Sequence, residues 1–274
     1  MGHGKLKKFA ENETFACLLQ PDASQVLNKE PGSKELRLND HAIKGRWGEE
    51  MFHNGNPIVL ELGCGKGDYT IALAQRHPEI NYIGVDIKGA RLWKGAKYAT
   101  ENALPNVAFL RTRIEFIDAF FGPGEVSEIW LTFSDPQLRG SENARLSSPL
   151  FLERYRKFLK PNGIIHLKTD SRYLYEYTKA VVEVNDLEVV VSETDVYANR
   201  QRVPNEVTEV QTFYEKMFLE MGLPITYMAF CIEHEGAYQF PGEAFDHEKW
   251  LEAEGPRRSF SHQPSKKQEV LLTL

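Results

Sequence analysis

Ile58-Val59-Leu60-Glu61-Leu62-Gly63-Cys64-Gly65-Lys66-Gly67-Asp68 is the stretch on which the reading of the fold turns. An apolar run with one acid inside it gives way to glycine at every second position, and the chain continues directly into the helix-like segment YTIALAQRH, residues 69–77. A strand that ends in glycines and feeds a helix is the opening half of a βαβ unit. Glycine at the carboxyl end of such a strand lets a ligand approach the backbone, because no Cβ stands in the way. A dinucleotide-binding fingerprint, GxGxxG, would put its third glycine at position 68, where this chain has Asp68. The spacing is instead Gly63, Gly65, Gly67, with Glu61 ahead of it.

Outward from this loop the same texture repeats. Short β-rich runs at 81–87, 107–112, 128–135, 163–170, 187–193 and 225–233 alternate with helix-like segments at 90–103, 116–122, 150–160, 172–184 and 212–222. With the run at 58–63 this predicts an α/β fold whose seven-stranded, mostly parallel sheet carries helices on both faces. Residues 1–55, polar and punctuated by Pro21, Pro31 and Gly32, read as an N-terminal arm, and residues 56–236 as the domain. Residues 237–274 read as a polar C-terminal tail, expected to be mobile or loosely packed. The connection at 194–211 is long and polar, a kind of stretch that in a compact domain is more often functional than idle.

Charge narrows the ligand. A pyrophosphate would be repelled by Glu61 and Asp68, whereas S-adenosylmethionine carries an ammonium and a sulfonium and no phosphate, so acids favour it. The second strand ends in Gly84-Val85-Asp86, an acid placed to accept hydrogen bonds from both hydroxyls of a ribose. Ligands of open α/β sheets bind outside the carboxyl ends of the strands, and Glu61, Asp86, Asp135 and Asp170 each fall at such an end. The third strand ends in Arg111-Thr112-Arg113, where an adenine edge would lie.

Composition excludes other classes. At 274 residues and 42% apolar the chain can bury a sizeable core. Cys17, Cys64 and Cys231 are odd in number, widely spaced and outside any CxxC pattern, so neither disulfides nor a metal are expected. No run approaches the roughly 18 apolar residues of a membrane helix, and the start lacks a signal-peptide run. A cytoplasmic protein with no membrane partner is expected; the oligomeric state is left open. A net charge of −6 argues against a general polyanion binder, so contact with nucleic acid must come from local patches.

The segments KLKKFAENETF (5–15), ELGCGKG (61–67), GVDIKGARLWKGAK (84–97), TFSDPQLRG (132–140), FLERYRKFLKPNGIIHLKTDS (151–171) and VQTFYEKMF (210–218) resemble the bacterial tRNA (guanine-N7)-methyltransferase family. The likeness runs over roughly residues 5–233. The glycine loop alone indicates only a methyltransferase. Asp135-Pro136, His166-Leu167-Lys168-Thr169-Asp170 and Thr212-Phe213-Tyr214-Glu215, in that order, make it specific. The resemblance implies a Rossmann-like class I methyltransferase fold, S-adenosylmethionine as cofactor, tRNA as partner and methyl transfer to N7 of a variable-loop guanosine. It also implies that Glu61, Gly63, Gly65, Asp86, Arg113 and Asp135 line the cofactor, while Arg139, Asp170, Thr212 and Glu215 face the substrate. The chain departs from the family at two places. FPDPW with a following basic run is replaced by Phe133-Ser134-Asp135-Pro136-Gln137-Leu138-Arg139-Gly140, leaving Arg139 and Arg145 of the basic run, and Arg113 stands where the family tends to have an acid or amide.

Methylation at guanine N7 uses a lone pair already free at neutral pH, so it needs no strong base. Alignment dominates, and well-oriented reactions gain about 7–11 kcal/mol from it. The product ring is cationic, and a nearby carboxylate stabilises that charge as it develops. Asp135 and Asp170 are the candidate catalytic acids, since a carboxylate accepts from the N1–H and N2–H2 edge of guanine, which adenine lacks. Each candidate also has a plainer reading. Glu61 and its glycines suit a tight turn, Asp86 a strand-end acid, Asp135 a turn before Pro136, Asp170-Ser171 a helix cap, and Thr212 with Glu215 a T-x-x-E capping box. Lys88, Arg91, Lys94 and Lys97 recur every third residue and share part of a helical face. With Lys5, Lys7, Lys8, Arg139, Arg145, Arg200 and Arg202 they either surround the cleft mouth or are solvated charges. Trp93 and Tyr98, between them, read as packing residues. The competing functions are a methyltransferase for a small molecule, which suits the acidic net charge, and a non-catalytic RNA-binding module on the same fold.

Overall fold

The structure, a computed structural model, describes residues 3–28 and 37–254. Helix α1 (His3–Asn12) leads to β1 (Leu18–Leu19), and β2 (Leu27–Asn28) forms a small ribbon with β3 (Arg37–Leu38). The domain proper runs through β4 (Ile58–Leu62), α2 (Asp68–Arg76), β5 (Asn81–Asp86), α3 (Gly89–Glu101), β6 (Val107–Arg111) and β7 (Val126–Thr132). It continues through α4 (Pro149–Tyr155), β8 (Leu159–Thr169), α5 (Arg172–Val184), β9 (Val189–Glu193), α6 (Asn205–Glu209), α7 (Phe213–Glu220) and β10 (Thr226–Cys231), with α8 (His247–Ala253) after it.

The main sheet has the order β1-β6-β5-β4-β7-β8-β10-β9, and β10 alone runs antiparallel to its neighbours. The seven expected strands are present, and an eighth, β1, pairs parallel with β6 at the edge, Leu18 opposite Phe109. Two residues are too few for an alternating pattern to register, which is why β1 lies hidden in the arm. The chain starts at the middle of the sheet with β4, winds outward through β5 and β6, and returns to β7 on the other side of β4. That reversal opens a crevice at the carboxyl ends of β4 and β7.

Alternation along the strands builds two cores. Leu60, Leu62, Ile83, Val85, Ile129 and Leu131 pack with residues of α4 and α5 on one face. Val59, Tyr82, Phe109 and Trp130 pack with α2, α3 and α6 on the other. The second core is locked by one ring. A Cβ at Gly67, Gly84 or Gly95 would come within 2.5, 2.8 and 2.5 Å of Phe109, so the ring fills the space of three missing side chains. It thereby clamps the glycine loop, β5 and α3 together, which glycine alone permits at these points.

The described parts of the arm and of the tail make specific contacts with the domain. Helix α1 docks on α3: Trp93 Nε1 donates to Glu11 at 2.5 Å, Asn12 Nδ2 donates to the Gly89 carbonyl at 2.9 Å, and Lys8 lies over the Trp93 ring. Past Gly236, Tyr238 is buried beneath the Arg156 guanidinium, and Phe245 meets Tyr173 and Tyr177 edge-on. Within 237–254, Tyr238, Pro241 and Glu254 are buried while most other residues are exposed. Isolated aromatic anchors hold this stretch, and these leave no periodic signature. Residues 255–274 of the expected tail lie outside the described residues. Among the described residues no helix is long and apolar enough to cross a membrane.

The Phe109 clamp gives a direct test. Gly95→Ala would place a methyl 2.5 Å from Phe109 and 2.8 Å from the Lys66 carbonyl. The expected cost is about 1–3 kcal/mol, the usual range for overpacking. An unchanged urea midpoint would show that the clamp is loose.

Candidate active site at the carboxyl edge of the sheet

The glycine loop is held from below. Gly63 N and Cys64 N both donate to the Val85 carbonyl, at 2.8 and 3.1 Å, and Gly67 N turns back to Cys64 O at 2.8 Å. Gly63 and Gly65 have φ of +79° and +58°, and a Cβ on either would meet nothing within 4 Å, so both turn an open backbone face toward the crevice. Asp86 is buried at the end of β5 and ties the loop to the next turn: Gly65 N donates to Oδ2 at 3.0 Å and Lys88 N to Oδ1 at 2.7 Å.

Glu61 lies deeper. Its side chain is on the α2 side of β4, where Thr70 donates to Oε2 through both its amide, at 2.8 Å, and its hydroxyl, and Thr132 donates to Oε1 at 2.5 Å. Burial pushes its pKa up to about 7, with the hydrogen bonds from Thr132 and Thr70 working against that rise. Asp68, at the start of α2, pairs with Lys94 at 2.8 Å. Glu61, Gly63, Gly65 and Asp86 are thus brought around one loop. The acids and the open backbone fit a small cationic ligand with a ribose.

Arg113 follows β6 as expected and is more than half exposed, with its guanidinium 3.2 Å from Glu115 and facing the Phe116 ring. Sequence reading missed Ile87, an apolar side chain 52% exposed directly after Asp86. It stands exposed at the same sheet edge as Asp86. Its only signal in the sequence was that adjacency.

Asp135 and Asp170 come to one edge because β7 and β8 are parallel neighbours in register, Thr132 opposite Lys168, with Phe133 N donating to the Lys168 carbonyl at 2.8 Å. Asp135 is exposed and accepts from Gln137 N at 2.9 Å, so the turn expected before Pro136 does form. Phe133 and Gln137 flank it with φ of +50° and +52°. The cap of α5 is Ser171, whose hydroxyl accepts from Leu174 N at 3.1 Å, so the helix cap expected at Asp170-Ser171 does form.

Two expected surface groups turn out to be internal. Arg145 is buried, stacked on Tyr173 and Tyr177, and donates to the carbonyls of Pro136 at 3.1 Å and Gln137 at 3.5 Å. It braces the Asp135 turn instead of extending a basic patch. Glu215 is wholly buried, forms the capping box with Thr212, and pairs with the equally buried Lys168 at 2.6 Å. Burial pulls the Lys168 pKa down, opposed by Glu215. Lys168 also donates to the Val210 carbonyl at 3.0 Å, which fixes the long connection and the head of α7 to β8. Among the other basic residues, Lys97 pairs with Glu101 at 3.1 Å, Arg202 with Glu193 at 3.3 Å, and Arg139 is exposed beside Asp135.

A family model described as "Putative methyltransferase" matches residues 55–228. The tRNA (guanine-N(7)-)-methyltransferase of Christiangramia forsetii is 48% identical over 230 residues, 84% of this chain and 98% of that protein. The protein of the same name from Porphyromonas gingivalis is 48% identical over 90% of this chain and 98% of its own length. This chain belongs to the tRNA (guanine-N7)-methyltransferase family. Among solved structures, the 16S rRNA methyltransferase KamB superposes with a TM-score of 0.52 at 17% identity, covering 72% of this chain and 95% of that one. That likeness places the family member described here in the class I methyltransferase fold. The added β1 strand widens its sheet without altering the central order.

Glu61 makes the site's electrostatics measurable. The folded carboxyl keeps its proton up to about 7 against an ordinary value of 4.5, so folding takes up a proton between those values. Its contribution favours the folded state at pH 4.5 and below, declines as pH rises to about 7, and is constant above that. Glu61→Gln should remove this slope and gain on the wild type between pH 5 and 8 by roughly 1–3 kcal/mol. Parallel stability curves for the two proteins in denaturant across that range would contradict the assignment.

Proposed function

We propose that this chain transfers a methyl group from S-adenosylmethionine to N7 of a guanosine in the variable loop of tRNA. The observation that carries the reading is the pair of carboxylates, Asp135 and Asp170, at the ends of adjacent strands beside a glycine loop ringed by acids. When bound, S-adenosylmethionine supplies an electrophilic methyl on a sulfonium. Asp86 would take the ribose hydroxyls on lone pairs not used by Gly65 and Lys88. Gly63 and Gly65 let the backbone approach, Ile87 and the Arg113 segment would flank the adenine, and Glu61 would set a negative potential beneath the methionine end. A cation placed above Glu61 favours its ionised form, so binding near neutral pH would release a proton.

On the substrate side, Asp135 and Asp170 would accept from the N1–H and N2–H2 groups of guanine. Those bonds hold the ring so that N7 meets the methyl in line, and they strengthen as positive charge spreads into the ring. No residue has to remove a proton from N7. Arg139, exposed beside Asp135, is suited to a tRNA phosphate, and Thr212 with Glu215 would set the head of α7 at the same edge. Helix α1 seals the Asp86–Gly89 turn through Asn12, which supports a part for the N-terminal arm in cofactor retention. A tRNA substrate supports a cytoplasmic location for the enzyme.

Incubation with labelled S-adenosylmethionine and unmodified tRNA should yield labelled 7-methylguanosine after nucleoside digestion. Asp135→Ala should lower kcat by about 10²–10³, the cost of removing one transition-state partner. Asp86→Ala should act mainly on the KM for S-adenosylmethionine. Label in a small-molecule fraction and none in tRNA would sink the substrate assignment.

A further inference from the structure

The family model ends at residue 228, yet the chain beyond it reaches back to Ser171 and Tyr173, close in sequence to Asp170. Glu254, just past α8, is 3% exposed, and its Oε1 accepts from Ser171 Oγ at 2.8 Å and from Tyr173 N at 2.7 Å. The amides of the first turn of α5 have no partner within the helix. Here Ser171 takes that of Leu174 and Glu254 that of Tyr173. A carboxylate at a helix N-terminus also gains from the helix dipole. Asp170 is the residue immediately before this doubly capped turn.

A second line runs to Asp135. The Tyr173 hydroxyl accepts from Arg145 Nη2 at 2.6 Å and lies 2.7 Å from His247 Nδ1 on α8. The phenol can accept from Arg145 and share a second hydrogen bond with Nδ1, in the direction that the imidazole tautomer sets. Arg145 then spans the carbonyls of Pro136 and Gln137, the two residues that follow Asp135. Two α8-side groups therefore terminate two hydrogen-bond chains, one ending at the first turn of α5, next in sequence to Asp170, and the other at the Asp135 turn.

We propose that Glu254 and His247 are positioning residues for methyl transfer, holding Asp170 and the Asp135 turn in the arrangement that grips the guanine edge. This rests on the assignment of those two acids to the substrate. Neither residue touches the ligand, so alignment should suffer while cofactor binding does not.

The test uses the full chain carrying Glu254→Ala, Glu254→Gln or His247→Ala. Methyl transfer to tRNA, S-adenosylmethionine affinity by titration, and amide hydrogen exchange over residues 134–140 and 170–175 are measured together. Glu254→Ala should lower kcat by about tenfold, the equivalent of one lost cap, leave cofactor affinity within about twofold, and speed exchange over 170–175. Glu254→Gln keeps an oxygen that can accept both bonds and should restore most of the rate and the protection. His247→Ala should loosen 134–140 and spare 170–175. Unchanged exchange in Glu254→Ala, an equal loss of cofactor affinity, or a glutamine variant as defective as the alanine one would each overturn the proposal. Should Glu254→Ala fail to fold, the other two variants still decide. A wild type that leaves tRNA unmethylated would refute the functional assignment, while the exchange data would still judge the positioning role.

Discussion

A carboxylate buried at the sheet's switch point is the constraint around which this site is built. Glu61 ends the central strand on the face covered by α2, where water cannot solvate it, and ionising it there is costly unless donors compensate. Thr70 and Thr132 supply those donors from α2 and β7, so one side chain fastens three elements at the point where the chain reverses direction. The glycine loop that follows is positioned by that anchorage and by the Phe109 ring, which fills the space of three absent side chains. Asp86 then fixes the loop's far side. The groups that anchor the loop are thus the ones that shape the crevice above it.

The second half of the site is organised by buried cations rather than by a basic surface. Arg145 supports the Asp135 turn from beneath, and Lys168 with Glu215 joins β8 to α7 and to the connection before it. A buried ion pair is weak evidence for stability, since desolvation can exceed the attraction, but breaking one is costly because it strands a charge. Such pairs specify how elements meet, and here they specify how the acid-bearing strand ends stand relative to the helix heads. The shortened basic run after Asp135 takes on meaning in that light: Arg139 is left for solvent, while Arg145 is folded inward as a brace.

Much of the fold was legible along the chain because alternating and helical periods survive wherever an element is long enough to bury one face. All seven core strands, the glycine loop and the acids at the strand ends were readable on that ground. β1 was not, being two residues long. The packing of 237–254 was not either, since Tyr238, Phe245, His247 and Glu254 act singly and far from their partners. Of the site residues, Glu61, Gly63, Gly65 and Asp86 could be grouped because they lie at the ends of two adjacent strands. The depth of Glu61 and Glu215 could not, because burial depends on what the rest of the chain lays over a side chain.

The sequence by itself determined the seven core strands, the glycine loop, the positions of the acids and, through its ordered motifs, the family. Those features are local: a strand's end, a glycine spacing and a charge are all written in consecutive residues. Only the tertiary structure decided which charges are tools and which are fasteners. Arg145, Lys168 and Glu215 carry the same charges as the exposed residues around them, and their roles differ because contacts between distant elements remove them from water and commit their hydrogen bonds.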